Sequence, residues 1–244
     1  MIKSVKVMST EVTNNTFVDK FQDKYILVMG SGPSVNELNW ENLDYDGIVT
    51  CNNFFRNDRV LSQADKILHI SFQRIVDLNN ETLISFLDNN PKCTIGFDSY
   101  TLWDANPEFN KKYKNRIWGY YTVRCSNNHD GVGGRLSYFT IAWKPSDLYF
   151  IGLDGFSENM KNDPPNAFRD WIKGSADSHY DHSQIKTSHS EFADYVYNFS
   201  KEHNINIYNL GEGLQYNVLT EFSEKLFPLP KNIKNKLKES KWKI

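Results

Sequence analysis

The sequence has few cysteines, and none of them is arranged for a disulfide framework or a zinc site. Three occur among 244 residues, Cys51, Cys93 and Cys125, far apart and without a C-x-x-C pair. An odd number at such spacing indicates neither structural disulfides nor a cysteine-bound metal. The pattern is typical of a reducing compartment, and we expect a cytoplasmic protein.

Long apolar runs and a strong net charge are also missing. No segment approaches ~18 consecutive apolar residues, and the first 17 residues, "MIKSVKVMSTEVTNNTF", lack the continuous apolar stretch of a signal peptide. The formal net charge is −2, which gives no field that would gather nucleic acid. We therefore expect a soluble protein that is not secreted by that route and has no nucleic-acid partner.

Neither common phosphate-binding loop motif is complete. The stretch "GSGPSVNE" at 30–37 lacks the G-x-x-x-x-G-K-[ST] spacing and the third glycine of G-x-G-x-x-G. It does contain Gly30 and Gly32, which let a ligand approach the main chain, and then Pro33 and Ser34 at a predicted helix start, where a phosphate is favoured. The stretch is interpreted as a phosphate cradle, with a tight strand-to-helix turn as the alternative.

Short β-branched or aromatic runs alternate with helical patterns along the chain. The predicted strands are 25–29, 47–51, 66–70, 93–97, 116–121, 147–152 and 204–210. The predicted helices lie near 34–39, 80–88, 108–114, 133–144 and 187–202. Strand, helix and strand in repetition predict an α/β fold with a mostly parallel sheet flanked by helices.

The length and the 39% apolar content suit one hydrophobic core. We expect a single nucleotide-binding domain over residues 1–230, in which the long irregular stretch 155–186 forms a small lid. Residues 231–244 are a basic tail with six lysines and one glutamate. This tail predicts either a solvated terminal helix or peripheral contact with an anionic membrane surface.

Polar residues follow the predicted strands, at the edge where ligands bind to parallel sheets. After the glycine stretch these residues are Asn52, Asn53, Ser71, Gln73, Asp98 and Asp154. The amides of Asn52 and Asn53 could read a base or a ribose, and a turn is the alternative. Asp154 could hold a ribose, a sugar hydroxyl or a catalytic histidine, or it could cap the next turn.

A second glycine cluster, "DGVGGRLSYFTIAW" from residue 130, opens a predicted helix. Gly133 and Gly134 would let backbone amides face an anion, with Arg135 just inside the helix. Close packing of the helix on the sheet explains the same glycines equally well.

The segment "DSHYDHSQIKTSHSEF" at 177–192 holds three of the six histidines. His179 and His182 are three residues apart, so a metal site must be considered, but the H-E-x-x-H pattern of a helical zinc site is absent. The segment favours a histidine that is oriented by a carboxylate and takes a proton from an attacking hydroxyl. A surface histidine without such a role is the alternative.

Taken in order, these motifs resemble the bacterial sialyltransferases of glycosyltransferase family 42. The family has G-N-G-P-S after its first strand, C-N after its second, a glycine-opened helix, a strand ending in G-I-D-F, and then H-Y-x-x-H-S. The matching stretches here are "GSGPS" at 30–34, "CN" at 51–52, "GGRLSYFTIAWKPSDLYFIGLDGF" at 133–156 and "SHYDHS" at 178–183.

The resemblance implies a GT-A-like, Rossmann-like domain with a lid, a CMP-sugar donor such as CMP-sialic acid, a glycan acceptor, no metal or other cofactor, and inversion by direct displacement. It assigns the general base to His182. Asp154 or Asp181 could orient this histidine, and His179 is a further catalytic candidate. It assigns the nucleotide contacts to Gly30, Ser31, Gly32, Pro33, Ser34, Asn52, Ser71, Gly133 and Gly134.

The sequence also departs from the family pattern. Ser31 and Ser71 stand where the family has asparagine, and Phe156 replaces the first of two tyrosines that hydrogen-bond the departing phosphate. The residues that could supply that contact instead are Arg135, Arg169, Lys173 and Tyr180. Two alternatives stay open: an ATP- and magnesium-dependent enzyme resembling the archaeal pterin diphosphokinases, and a nucleotide-binding protein without catalysis. The sequence does not set the oligomeric state or the acceptor.

Overall fold

The fold is described from a computed structural model, which covers residues 19–72, 76–97, 106–119, 132–153, 167–168, 196–198, 200–211 and 231–238. Its strands are β1 Tyr25–Met29, β2 Gly47–Cys51, β3 Ile67–Phe72, β4 Thr94–Phe97, β5 Ile117–Gly119, β6 Asp147–Ile151 and β7 Asn206–Asn209. Its helices are α1 Ser34–Glu37, α2 Asp58–Leu61, α3 Glu81–Asn89, α4 Pro107–Tyr113, α5 Val132–Ala142 and α6 Lys231–Lys238.

The strands form one sheet of seven in the order β5-β4-β3-β2-β1-β6-β7, and every neighbouring pair is parallel. The chain moves outward from β1 to β5 and then crosses back to place β6 on the other side of β1. The direction of winding therefore changes between β1 and β6. This arrangement confirms the predicted α/β, Rossmann-like class.

Both faces of the sheet are covered, which is why its strands are nearly continuous apolar runs. All five residues of β2 are buried. On one face Leu27 and Ile70 belong to a core cluster with apolar residues of α1 to α4 and α6. On the other face Val28 and Phe150 belong to a second cluster with residues of α5. Local pattern and tertiary packing therefore agree.

Local signals fix several helix ends. The side chain of Asn80 accepts from the amides of Thr82 and Leu83 and so begins α3. Pro107 occupies the first turn of α4, where its missing N–H costs nothing. The predicted helix at 187–202 is described at 196–198 and 200–202, and these residues are helical. Most predicted boundaries lie within two residues of the observed ones.

The first eight residues of the basic tail form α6, which packs on the domain. Leu237 is buried in the larger core cluster, and Ile233 is partly buried against it. Asn39 Nδ2 donates to the carbonyl of Leu237 at 3.2 Å. The apolar side of this helix therefore faces the protein. Among the described residues, we find no helix with the length and hydropathy that crossing a bilayer requires.

Two of the three cysteines lie in described parts of the chain. Cys51 and Cys93 are buried. Burial raises the pKa of the Cys93 thiol to about 12, so it stays protonated and behaves as a small apolar side chain. Cys125 lies outside the described residues.

Candidate functional site

The change of winding direction defines the candidate site. In open parallel sheets a ligand binds beyond the carboxyl ends of the strands, at the point where the strand order reverses. Here that point lies beyond Met29 of β1 and Ile151 of β6, which are register partners. The glycine stretch follows β1 directly, so the topology places it at the centre of this edge.

The second glycine cluster reaches the same edge. Helix α5 connects β5 to β6, which are parallel strands, so it runs antiparallel to them and begins at their carboxyl edge. It packs across β1, β2 and β3. Gly133 and Gly134 lie in its first turn, followed by Arg135. The fold thus brings both predicted glycine segments to the carboxyl edge of the sheet.

The glycine stretch is joined to the end of β6 by main-chain hydrogen bonds. The Gly30 amide donates to the Ile151 carbonyl, and the Gly32 amide donates to the Gly152 carbonyl, both at 2.8 Å. A Cβ on Gly30 would lie 2.3 Å from the Gly152 oxygen, and Gly152 has φ of +71°. Glycine is therefore required because two backbones touch.

These bonds limit how a phosphate cradle at this stretch could work, and the predicted nucleotide contacts of residues 30–34 stay a prediction. The amides of Gly30 and Gly32 are both used inside the protein, and the Val35 amide donates to the Gly32 carbonyl at 3.3 Å. The alternative interpretation, a tight turn between strand and helix, describes the loop correctly. A ligand that binds here would instead meet the half-buried surface of Ser31, Gly32 and Pro33.

Ser34 is used differently from the predicted helix cap. It is the first residue of α1, a single turn of four residues without a side-chain cap. Its buried Oγ accepts from the Gly152 amide at 2.9 Å, so it ties the helix to the end of β6. At the other end of α1, Arg59 Nη1 donates to the carbonyls of Val35 and Asn36 at 3.0 and 2.9 Å. Contacts at both ends hold this short helix.

Asn52 lies beside the glycine stretch because β2 neighbours β1. Its backbone adopts φ of +49°, a left-handed conformation that asparagine tolerates. Its amide donates to the Ser71 carbonyl at 2.9 Å, and its side chain is half-buried. Asn53 is buried. The turn interpretation is thus confirmed for Asn52, and its predicted contact with a nucleotide stays a prediction that this position allows.

Ser71 does not lie at a strand tip as expected. Strand β3 extends to Phe72, two residues beyond the predicted 66–70, because the added residues pair with β4. Ser71 is fully buried, and its hydroxyl lies 3.1 Å from His69 Nε2. Its position therefore gives no support to the predicted nucleotide contact.

A buried polar network around His69 was missed by the sequence analysis. Thr94 Oγ1 donates its hydrogen to the Leu68 carbonyl at 3.1 Å. The same oxygen therefore accepts from His69 Nδ1 at 2.9 Å. Nε2 then accepts from the Ser71 hydroxyl, so the ring is neutral. Burial, with a smaller effect of Lys20, holds the pKa of His69 well below its usual value. The sequence does contain one signal for this network, which is a histidine inside the apolar run "KILHI".

The predicted lid segment, 155–186, is described only at Ala167 and Phe168. The Ala167 amide donates to the Ser31 carbonyl at 2.8 Å. The Ala167 carbonyl accepts from Asn57 Nδ2 at 2.9 Å. Phe168 is buried in the larger core cluster. The middle of the segment is therefore bound to the glycine stretch. Asn57, which takes part in this contact, was not among the residues predicted for the site. The extent of the lid stays a prediction.

The remaining predicted site residues lie outside the described part of the chain. They are Asp154, Arg169, Lys173, His179, Tyr180 and His182, with Gln73 and Asp98 at the strand ends. Within the described ranges, no three carboxylate, histidine or cysteine side chains come together as metal ligands could. The histidine segment is not part of those ranges.

No protein-family model and no curated protein matches the chain. Solved structures do. An α-2,3-sialyltransferase from Campylobacter jejuni, determined in apo form, is 18% identical over 91% of this chain and 83% of that chain, with a TM-score of 0.52. A variant of the sialyltransferase CST-II, in complex with CMP, is 14% identical over 77% and 81%, with a TM-score of 0.50. The resemblance seen in the sequence is thereby confirmed at the level of the fold.

Proposed function

We propose that this chain is a glycosyltransferase that uses a nucleotide-activated sugar, with a CMP-linked sugar as the donor. One observation carries the proposal: the glycine stretch and the start of α5 both lie at the carboxyl edge of the sheet, where its winding reverses, in a fold shared with sialyltransferases. The CST-II variant of the same fold is described in complex with CMP. The ordered sequence motifs support the same donor.

In this proposal the carboxyl edge of β1 and β2 binds the nucleotide. The half-buried surface of Ser31, Gly32 and Pro33 contacts the phosphate and ribose, and the Asn52 carboxamide offers a donor and an acceptor to the base or the ribose. The bonds from Gly30 and Gly32 to β6 keep this surface rigid before the ligand arrives. A preformed surface loses less entropy when it binds a ligand.

The proposed chemistry is a single displacement. His182 takes the proton of an acceptor hydroxyl, the hydroxyl oxygen forms a bond to the anomeric carbon, and CMP leaves with the electrons of the broken bond, which inverts that carbon. Either Asp154 or Asp181 orients the histidine. Cationic or hydroxyl side chains, drawn from Arg135, Arg169, Lys173 and Tyr180, stabilise the charge on the leaving phosphate.

Thermal unfolding with added nucleotides tests the donor. CMP, UDP, GDP and ATP are compared, each with and without magnesium. CMP at about 100 times its Kd adds about 2.7 kcal/mol of stability, which raises Tm by roughly 5–10 °C in a chain of this size. If only ATP with magnesium raises Tm, the pterin diphosphokinase-like alternative replaces our proposal. If no nucleotide raises Tm, the nucleotide site itself is rejected.

Replacement of His182 tests the chemistry. Transfer from CMP-sialic acid to a glycan acceptor should fall by about 10²–10⁴-fold in His182→Ala, while CMP still raises Tm as in the wild type. His203→Ala is the control, because it removes an imidazole to which no catalytic role is assigned. Undiminished transfer in His182→Ala means that another group is the base. CMP binding without any turnover by the wild type indicates a nucleotide-binding protein without catalysis.

A further inference from the structure

We propose that Asn57 is a positioning residue for the nucleotide site: its carboxamide fixes the chain at residue 167 and, through it, the peptide between Ser31 and Gly32. The inference rests on the proposed function for the identity of the ligand. The contacts that carry it belong entirely to described residues.

Asn57 joins three parts of the chain with one side chain. It is 8% exposed and caps α2, where its Oδ1 accepts from the Val60 amide at 3.2 Å. Its Nδ2 donates one hydrogen to Asn36 Oδ1 at 2.8 Å and the other to the Ala167 carbonyl at 2.9 Å. An amide nitrogen has two hydrogens to donate, so both are used. Only an asparagine combines this cap with two donated bonds at this position.

The peptide between Ser31 and Gly32 is held at both ends. Its carbonyl accepts from the Ala167 amide, and its N–H donates to the Gly152 carbonyl, each at 2.8 Å. One bond is made to Gly152, which directly follows β6, a strand paired on both sides in the sheet. The other comes from a residue whose own carbonyl depends on Asn57. Loss of the Asn57 contact therefore loosens one end of the peptide that the nucleotide would lie against.

Two substitutions separate this role from capping. Asn57→Ser keeps a side-chain oxygen that can cap α2 but removes both donated bonds. Asn57→Asp keeps the shape and the cap. It replaces the donating nitrogen with an oxygen that faces two acceptors, Asn36 Oδ1 and the Ala167 carbonyl. Asn80 provides the matched control, because it too caps its helix, α3, and its side chain bonds, within the described ranges, to Thr82 and Leu83 of that helix alone. Asn80→Ser should cost a similar amount of capping.

The experiment measures two properties of each full-length variant. The first is the Kd for CMP by calorimetry, together with KM and kcat for CMP-sialic acid. The second is hydrogen exchange of the peptides that contain residues 31–36 and 167, without nucleotide. We expect Asn57→Ser to weaken CMP binding about tenfold and to raise the donor KM with little change in kcat. Exchange at both peptides should rise, whereas Asn80→Ser should change neither property.

The outcomes distinguish this inference from the proposed function. If the wild type binds no CMP, the proposed function fails, and faster exchange at residues 31–36 and 167 in Asn57→Ser would still support the contact. If the wild type binds CMP and Asn57→Ser binds it equally well with unchanged exchange, the inference is overturned. Weaker binding in Asn80→Ser to the same degree would also overturn it. Should Asn57→Asp not fold, Asn57→Ser supplies both measurements.

Discussion

Main-chain hydrogen bonds join neighbouring strands at both edges of the sheet, but the side chains that add to these bonds differ between the edges. At the carboxyl edge, main-chain amides and one serine hydroxyl join the glycine stretch to β6. At the amino edge, main-chain bonds from the Ser146 amide to the Lys24 carbonyl and from the Asp46 amide to the Tyr25 carbonyl, both at 2.9 Å, are accompanied by contacts of long cationic side chains. Lys20 Nζ donates to the carbonyls of Leu68 and Lys92 at 2.6 and 2.5 Å, and burial lowers the pKa of this lysine to about 8. Lys236 pairs with Asp44 at 2.6 Å.

The comparison shows how one edge of the sheet is suited to a ligand. Main-chain bonds and the Ser34 hydroxyl hold the carboxyl edge, and Ser31 and Asn52 are half-buried there. The amino edge instead uses its charged groups within the protein. We expect close backbone contact to dominate stability at the carboxyl edge, and side-chain packing to dominate at the amino edge.

The largest expected effect comes from a methyl group between the two backbones at the carboxyl edge. Gly152→Ala combines a left-handed φ with a Cβ 2.5 Å from the Gly30 oxygen. We expect the free energy of unfolding in urea to fall by about 3 kcal/mol or more. The matched control is Gly47→Ala at the amino edge, where the nearest atom is Cδ1 of Leu68. That side chain can rotate away, so about 1 kcal/mol is expected. Equal losses would contradict the comparison.

A smaller effect is expected at the amino edge, where α6 packs on the domain. Leu237→Ala removes a buried side chain and should lower the free energy of unfolding by about 2–3 kcal/mol. Lys236→Gln is its control on the same helix. It breaks an exposed ion pair that water and salt already screen, so the urea midpoint should not change. A larger loss from the lysine than from the leucine would show that charge, and not packing, holds this helix.

The smallest expected effect concerns the neutral His69 between the two edges. The folded state keeps this ring unprotonated, whereas the unfolded chain binds a proton below pH 6.5. The contribution of His69 to the free energy of unfolding is therefore fully present above about pH 7.5 and is lost as the pH falls. Between pH 7.5 and 5.5 the wild type should lose about 1.4 kcal/mol more than His69→Gln, which has no such proton. Parallel urea titrations at both pH values measure the difference, and equal losses would show that His69 is protonated in the fold.

Local pattern was sufficient to predict the strands and most helices. Apolar runs bounded by turn residues predicted β1 and β2 with the observed limits, because a strand buried on both faces needs such a run. Ser71 was expected just after β3, but it lies inside this strand, one residue before its end. The end of β3 is set by its pairing with β4, and pairing partners are not encoded in the strand's own residues.

The candidate site was predicted in part. The sequence marked the glycine stretch and Asn52, because glycine or asparagine follows an apolar run there, and the start of α5, because glycines precede an apolar helix pattern. It did not mark Asn57, which looks like an ordinary helix cap. The contacts of Asn57 with residues 36 and 167 join positions far apart in the chain. A local sequence pattern cannot predict such long-range contacts.

The sequence alone determined that this protein is an α/β chain with polar residues at strand ends, because apolar periodicity and turn chemistry act over a few neighbouring residues. Only the tertiary structure decided what the glycines do. The order of the strands brings Gly30 against Gly152, and that contact between two backbones uses the amides that the motif had suggested for a phosphate. Distances between segments remote in sequence are set by how the sheet is wound, so they had to be read from the fold.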